Sequence, residues 1–155
     1  MNYHTAQICL NGHAIDCYSA NEEKFCSKCG AETIQKCPNC NEIIRGKVRD
    51  AGFVDCTKYI TPDYCYNCGK PYPWTQSKLE AMKELIEFDE ELSSEEKSYM
   101  SENIQNLTID TPKTKVVATK FGMFLRKAGS FTGNAIRDIL VDIASEAAKK
   151  IIFPQ

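Results

Sequence analysis

The 155-residue chain predicts a small α+β protein: tandem zinc ribbons of short β-hairpins over residues 1–74, then an all-α region of about four helices over residues 75–155. Three observations predict it. All nine cysteines lie between Cys9 and Cys68. Eight metal-type ligands in that stretch fall into close pairs: Cys9 with His13, Cys26 with Cys29, Cys37 with Cys40, and Cys65 with Cys68. After Pro71-Tyr72-Pro73 the apolar residues recur at the spacing of amphipathic helices.

The pairs come first because they set the fold of the N-terminal half. Zinc takes four ligands at tetrahedral angles, and two tight turns that each carry two ligands close one site. Glycine follows Cys29 and Cys68, where it tolerates positive φ and lets backbone amides turn toward the sulfurs. Pro38 presets the turn in the third pair, and Asn11-Gly12 makes the turn in the first. Short closures cost less chain entropy, which favours sequential pairing over an interleaved cross-brace. Cys9, His13, Cys26 and Cys29 then form one site, with 12 residues between its pairs. Cys37, Cys40, Cys65 and Cys68 form the other, with 24 between. The expected cofactor is two Zn2+ per chain, with iron the rival at the all-cysteine site.

Strands are expected at 15–18, at 42–48, and in a return at 52–54. Cys17 and Cys56 fit no ligand spacing and are expected to be small, buried or half-buried hydrophobes. His4 has no partner at ligand spacing.

In the second half Thr75 is the expected cap of a helix whose stripe is Leu79, Met82, Leu85 and Ile86, ending near Phe88. Ser93 and Glu96 form a capping box ahead of a helix carrying Met100, Ile104 and Leu107. Together these make an acidic helical hairpin over 75–110. Thr111-Pro112 restarts the chain, and Val117, Phe121, Phe124, Leu125 and Ala128 line the next helix, which Gly129 ends. A break near 130–133 precedes the last stripe: Ile136, Ile139, Leu140, Ile143, Ala147 and Ile151. Glu146 and Lys150 are spaced for an ion pair within it.

Charge is segregated. Residues 1–74 balance eight basic against eight acidic side chains, residues 75–110 hold three against ten, and residues 111–155 hold eight against three. The formal total of -2 argues against broad, nonspecific nucleic-acid affinity. Two features are candidate partner surfaces. Tyr64, Tyr66, Tyr72 and Trp74 surround the last ligand pair, either packing the ribbon or stacking on bases or a peptide. Lys113, Lys115, Lys120, Arg126 and Lys127 are the only charges of their helix. They have three readings: packing on the acidic hairpin, contact with phosphates or a protein, or lying on an anionic membrane. The last helix could also pair with a second copy of itself.

Eight ligands for two ions leave no open coordination position, and no zinc-protease histidine–glutamate motif or nucleophile–base set is present, so no enzyme is expected. No secretory signal and no bilayer-length apolar run is visible, so the expected location is the cytoplasm, with thiols reduced.

The segments Ala6-Gln7-Ile8-Cys9-Leu10-Asn11-Gly12-His13, Phe25-Cys26-Ser27-Lys28-Cys29-Gly30 and Lys36-Cys37-Pro38-Asn39-Cys40-Asn41 carry a resemblance, as do the run from Tyr64 to Thr75 and the run from Asp138 to Ala148. With them the chain resembles a bacterial family of unknown function that has an N-terminal double zinc ribbon and a C-terminal helical region. The resemblance implies a bacterial origin, supports His13 as a ligand and supplies no activity. The expected function is a non-enzymatic zinc-binding adaptor for a protein partner. A nucleic-acid-binding accessory protein is the alternative, and a membrane-peripheral regulator the second.

Overall fold

Frequent tight turns keep the strands of the first 48 residues two to four residues long. The computed structural model describes residues 2–20, 22–49, 52 and 55–154. It divides into two units, Met1–Gln76 and Ser77–Gln155.

In the first unit, β1 (Tyr3–Thr5) pairs antiparallel with β5 (Arg45–Val48), Tyr3 opposite Val48 and Thr5 opposite Arg45. A second sheet has the order β3-β2-β4, all antiparallel, from β3 (Ala14–Asp16), β2 (Gln7–Cys9) and β4 (Thr33–Ile34). The central strand β2 is buried throughout. Gly46 in β5 lies where the Cys17 carbonyl crosses; a Cβ there would collide with that oxygen. The bare backbone lets the Lys47 amide donate to it at 2.9 Å. The Lys47 ammonium, 6% exposed, turns inward to the Asp55 carboxylate at 3.0 Å and the Thr57 hydroxyl at 2.8 Å. The Tyr59 hydroxyl donates to the Arg45 carbonyl at 2.6 Å. These contacts tie residues 55–59 to β5. Of the expected return at 52–54, residues 53 and 54 lie outside the described residues.

The core of this unit is small: Ala6, Ile8, Ile44, Tyr72 and Trp74, together with Cys37 and Cys65. Tyr72 and Trp74 stack with centroids 4.8 Å apart, and the Trp74 indole donates to the Pro62 carbonyl at 2.9 Å.

Among the described residues five α-helices follow, against about four expected. Helix α1 (Pro73–Phe88) starts two residues before the expected cap, with proline in its first turn, where no intrahelical donor is needed. Thr75 is therefore inside the helix and fully buried, and its hydroxyl donates to Asp63 at 3.3 Å. Helix α2 (Ser94–Asn103) has the expected capping box between Ser93 and Glu96 and continues into a 3-10 turn, Ile104–Leu107.

Helix α3 (Thr114–Lys127) starts two residues after the expected Pro112 position; Thr111 heads a turn instead, its hydroxyl accepting from the Lys113 amide at 3.2 Å and its amide donating to the Thr114 hydroxyl at 2.8 Å. Helix α4 (Ser130–Ile143) absorbs the break expected at 130–133 as its first turn. The last stripe is interrupted instead at Ala144. Ser145 caps α5 (Glu146–Ile152), and its amide donates to the Leu107 carbonyl at 2.8 Å. Glu146 consequently pairs with Lys149 at 3.6 Å, not with Lys150.

The core of the second unit runs through all five helices, from Leu79, Met82 and Ile86 through Met100, Phe121 and Leu125 to Ile136, Leu140 and Ala148. Buried Asp89 anchors the α1–α2 loop. It accepts from the Glu91, Leu92 and Gly129 amides at 2.9, 3.0 and 2.9 Å.

Candidate metal centres

Three of the four ligand turns share one backbone plan. In each, the first cysteine's amide donates five residues ahead: Cys26 to Ala31, Cys37 to Glu42, and Cys65 to Lys70, at 2.8 to 2.9 Å. The residue four ahead donates back to that cysteine's carbonyl, from Gly30, Asn41 and Gly69. These residues have φ of 74°, 62° and 72°. An antiparallel bridge closes each turn: Phe25 with Glu32, Lys36 with Ile43, and Tyr64 with Pro71.

Asn41 is the informative one. The left-handed region strains ordinary L-residues by about 1–2 kcal/mol, and asparagine is among the few that visit it routinely. We expect Asn41→Gly to leave the thermal midpoint of the metal-loaded protein nearly unchanged. Asn41→Val should lower stability by about 1–2 kcal/mol. Equal midpoints for the two variants would show that this backbone position is not constrained.

The fourth turn joins β2 to β3. Its Cys9 amide donates to the His13 carbonyl at 3.0 Å, and the Gly12 amide donates back to the Cys9 carbonyl at 2.8 Å.

These turns bring the eight side chains together as two groups: Cys9, His13, Cys26 and Cys29, and Cys37, Cys40, Cys65 and Cys68. Within each group the ligand atoms lie within 4.8 Å of one another. The first pair therefore meets the second, and the third meets the fourth. A tetrahedron with metal–sulfur bonds of about 2.3 Å has sulfur–sulfur edges of about 3.8 Å, and its sulfur–nitrogen edges are about 3.6 Å. Cys9 and Cys29 sulfurs are 3.7 Å apart, Cys37 and Cys68 3.8 Å, and Cys40 and Cys65 3.6 Å. His13 Nδ1 is 3.5 Å from the Cys9 sulfur and 3.7 Å from the Cys26 sulfur. The donor atoms therefore sit at the corners a four-coordinate ion needs, with His13 presenting Nδ1. The sulfur separations are far from the roughly 2.05 Å of a disulfide.

Electrostatics agree. A hydrogen bond from the Ala31 amide, then one from Asn11, lowers the Cys29 thiol to about 6. Burial raises Cys9. In the second group burial opposes ionisation of Cys65. The Cys68 and Asn67 amides and the neighbouring thiols overcome it and bring Cys65 down to about 6. At Cys68 the Lys70 amide lowers the value, but burial and the other three thiols push it up to about 11. Ionising one sulfur thus resists ionising the next. A divalent cation removes that resistance and deprotonates coordinating thiols.

Two supporting side chains were not evident in the sequence. The Asn11 side-chain amide donates to the Cys29 sulfur at 3.4 Å. Arg45 lies over the rings of Tyr3 and Tyr66, at 4.7 and 3.5 Å from their centroids. Cys17 is half-buried as expected, whereas Cys56 is exposed, contrary to the expected burial, and neither is in a ligand group.

Of the two readings of the aromatics at 64–74, packing of the ribbon holds for Tyr72 and Trp74, and the four do not form one surface. Tyr72 and Trp74 are 1% and 3% exposed, because the small ribbon has little else to bury. Tyr64 is half-buried, and Tyr66 is exposed with one face under Arg45. Lys115, Lys120, Arg126 and Lys127 on α3, and Lys113 just before it, are all exposed. Lys127 pairs with Glu96 of α2 at 2.7 Å, and Lys120 lies 4.8 Å over the Tyr99 ring.

The profile of a family described as uncharacterised proteins conserved in bacteria, DUF2321, matches residues 2–152. The chain belongs to this family. The match runs through both ligand groups and all five helices. No curated protein and no solved structure matches the chain. Among the described residues of this family member, no helix is long and apolar enough to cross a membrane.

Proposed function

We propose that the chain is a non-enzymatic adaptor whose N-terminal unit is a double zinc ribbon, held in shape by two structural zinc ions. The observation that carries this reading is the closure of both ligand groups, four donors each at tetrahedral separations. A catalytic zinc keeps one position for water or substrate; four protein donors fill it. In the first group a histidine nitrogen joins three sulfurs, a donor set common in structural zinc sites; the all-cysteine group is read as zinc by its pairing with that site, with iron as its rival. Both ions then hold shape, and specificity for a protein partner belongs to side chains outside the clusters. The same reading places the protein in the cytoplasm, where thiols stay reduced and available to metal.

Cobalt substitution tests this reading. Co2+ should give the visible bands of a tetrahedral thiolate ion, and azide or cyanide should not change them. Bands that shift on adding either anion would reveal an open position and make a catalytic site the better reading.

A further inference from the structure

On the outer side of α1, Ala81, Glu84, Leu85 and Phe88 surround a depression of about 400 Å3. Their spacing is i, i+3, i+4 and i+7. Four residues so placed form the hole that receives one side chain of a packed neighbouring helix. Here Phe88 is 79% exposed. Glu84 lines the hole, and exposed Glu87, Glu90 and Glu91 follow at the end of the helix, with the Lys97 ammonium donating to the Glu87 carbonyl at 2.9 Å.

Helix α3 presents the opposite relief. Val116 and Met123, seven residues apart, are 58% and 54% exposed, on the face turned away from buried Phe121 and Leu125. Lys113, Lys120 and Lys127 repeat at the same interval beside them, and Lys115 and Arg126 flank the other side. No acidic residue lies on α3. Lys127 is paired with Glu96 and Lys120 lies over Tyr99 within the same chain, so the positive charge around the knobs is carried chiefly by Lys113, Lys115 and Arg126, against negative charge around the α1 hole. The outward face of α3 cannot fill the hole of its own chain while its opposite face is committed to the core.

We propose that a second copy of this chain docks here, the Met123 side of α3 in one copy entering the Ala81–Phe88 hole of the other. Reciprocal use of both surfaces closes a dimer. The zinc reading is not needed for this interface, which lies wholly in the helical unit.

Sedimentation equilibrium of the metal-loaded protein tests it. At low salt the mass should rise above the 17.5 kDa of the single chain as concentration increases. High salt should weaken the association, because the rims are exposed charges. Phe88→Glu and Met123→Glu should each raise the dissociation constant at least about tenfold, with the far-UV spectrum unchanged. Glu84→Lys and Lys120→Glu should each weaken self-association, and a mixture of the two variants should restore it, because each wrong contact is then matched. A single-chain mass up to about 0.5 mM at low salt would overturn the proposal. So would a dimer indifferent to both glutamate variants, or a monomer whose α3 lysines bind anionic vesicles or single-stranded nucleic acid instead.

Discussion

Cys37→Ser should strip metal from the second cluster and unfold the N-terminal unit, leaving most of the helical signal in place. The expectation follows from how little else holds that unit. Its core is five apolar side chains and two of the ligand cysteines themselves. A structural zinc contributes on the order of 10–16 kcal/mol of folding free energy in isolated fingers, against a total stability of about 5–15 kcal/mol for an ordinary domain. Losing one of four ligands removes enough of that term to exceed what the small core supplies.

The readout is local, because Trp74 is the only tryptophan and is buried on Tyr72. Its emission should move to the red in Cys37→Ser, and equally when a chelator is added to the unaltered protein. Acid should act in the same direction, since protons compete with the metal for thiolates. Exposed Cys56 is the control: Cys56→Ser should change stability by no more than about 0.5 kcal/mol and keep the metal. Comparable metal loss from both variants would refute the ligand assignment.

The second large effect is expected in the helical unit. Asp89→Ala should destabilise it by about 3–5 kcal/mol, read by chemical denaturation at the far-UV helical signal. Asp89 is 3% exposed and joins two connections: the Glu91 and Leu92 amides after α1, and the Gly129 amide ahead of α4. Alanine leaves three donors without an acceptor where water is largely excluded. Asp89→Asn should fall between, because its amide nitrogen turns a donor toward donors.

Burial works against the Asp89 carboxylate, but hydrogen bonds from Gly129, Glu91, Thr132 and Leu92 outweigh it and hold its pKa below the ordinary value. A carboxylate lowered on folding stabilises above its unfolded pKa of about 3.9, and that stabilisation disappears as pH falls through the folded value. The acid-side loss of stability should therefore be shallower in Asp89→Ala than in the parent. A loss below about 1 kcal/mol for Asp89→Ala would mean that the loop finds other acceptors.

Features set by neighbours in the chain were legible in the sequence. Ligand pairs three or four positions apart, and the Ser93–Glu96 box, are local events whose geometry follows from spacing. The α+β class followed from them, together with the helical stripes. What was hidden depended on distant chain. Tyr3–Thr5 is a strand because residues some forty positions later lie beside it. For Tyr72 and Trp74 the sequence left ribbon packing and a stacking surface both open, because they flank a ligand pair; the fold takes them as core. The last stripe showed no interruption, since Ala144 and Ala148 suit a helix; the capping hydroxyl of Ser145 and the Leu107 carbonyl break it there. Asn41 carries the turn beside Pro38, and its place after the second cysteine, matching Gly30 and Gly69, is the signal in the sequence.

The central claim is that two closed four-ligand sites each hold one structural zinc ion. Elemental analysis of protein purified without added metal or chelator tests it most directly. The account predicts about two zinc per chain, one for each group of four ligands. A value near one, or iron in place of zinc in the second cluster, would contradict it.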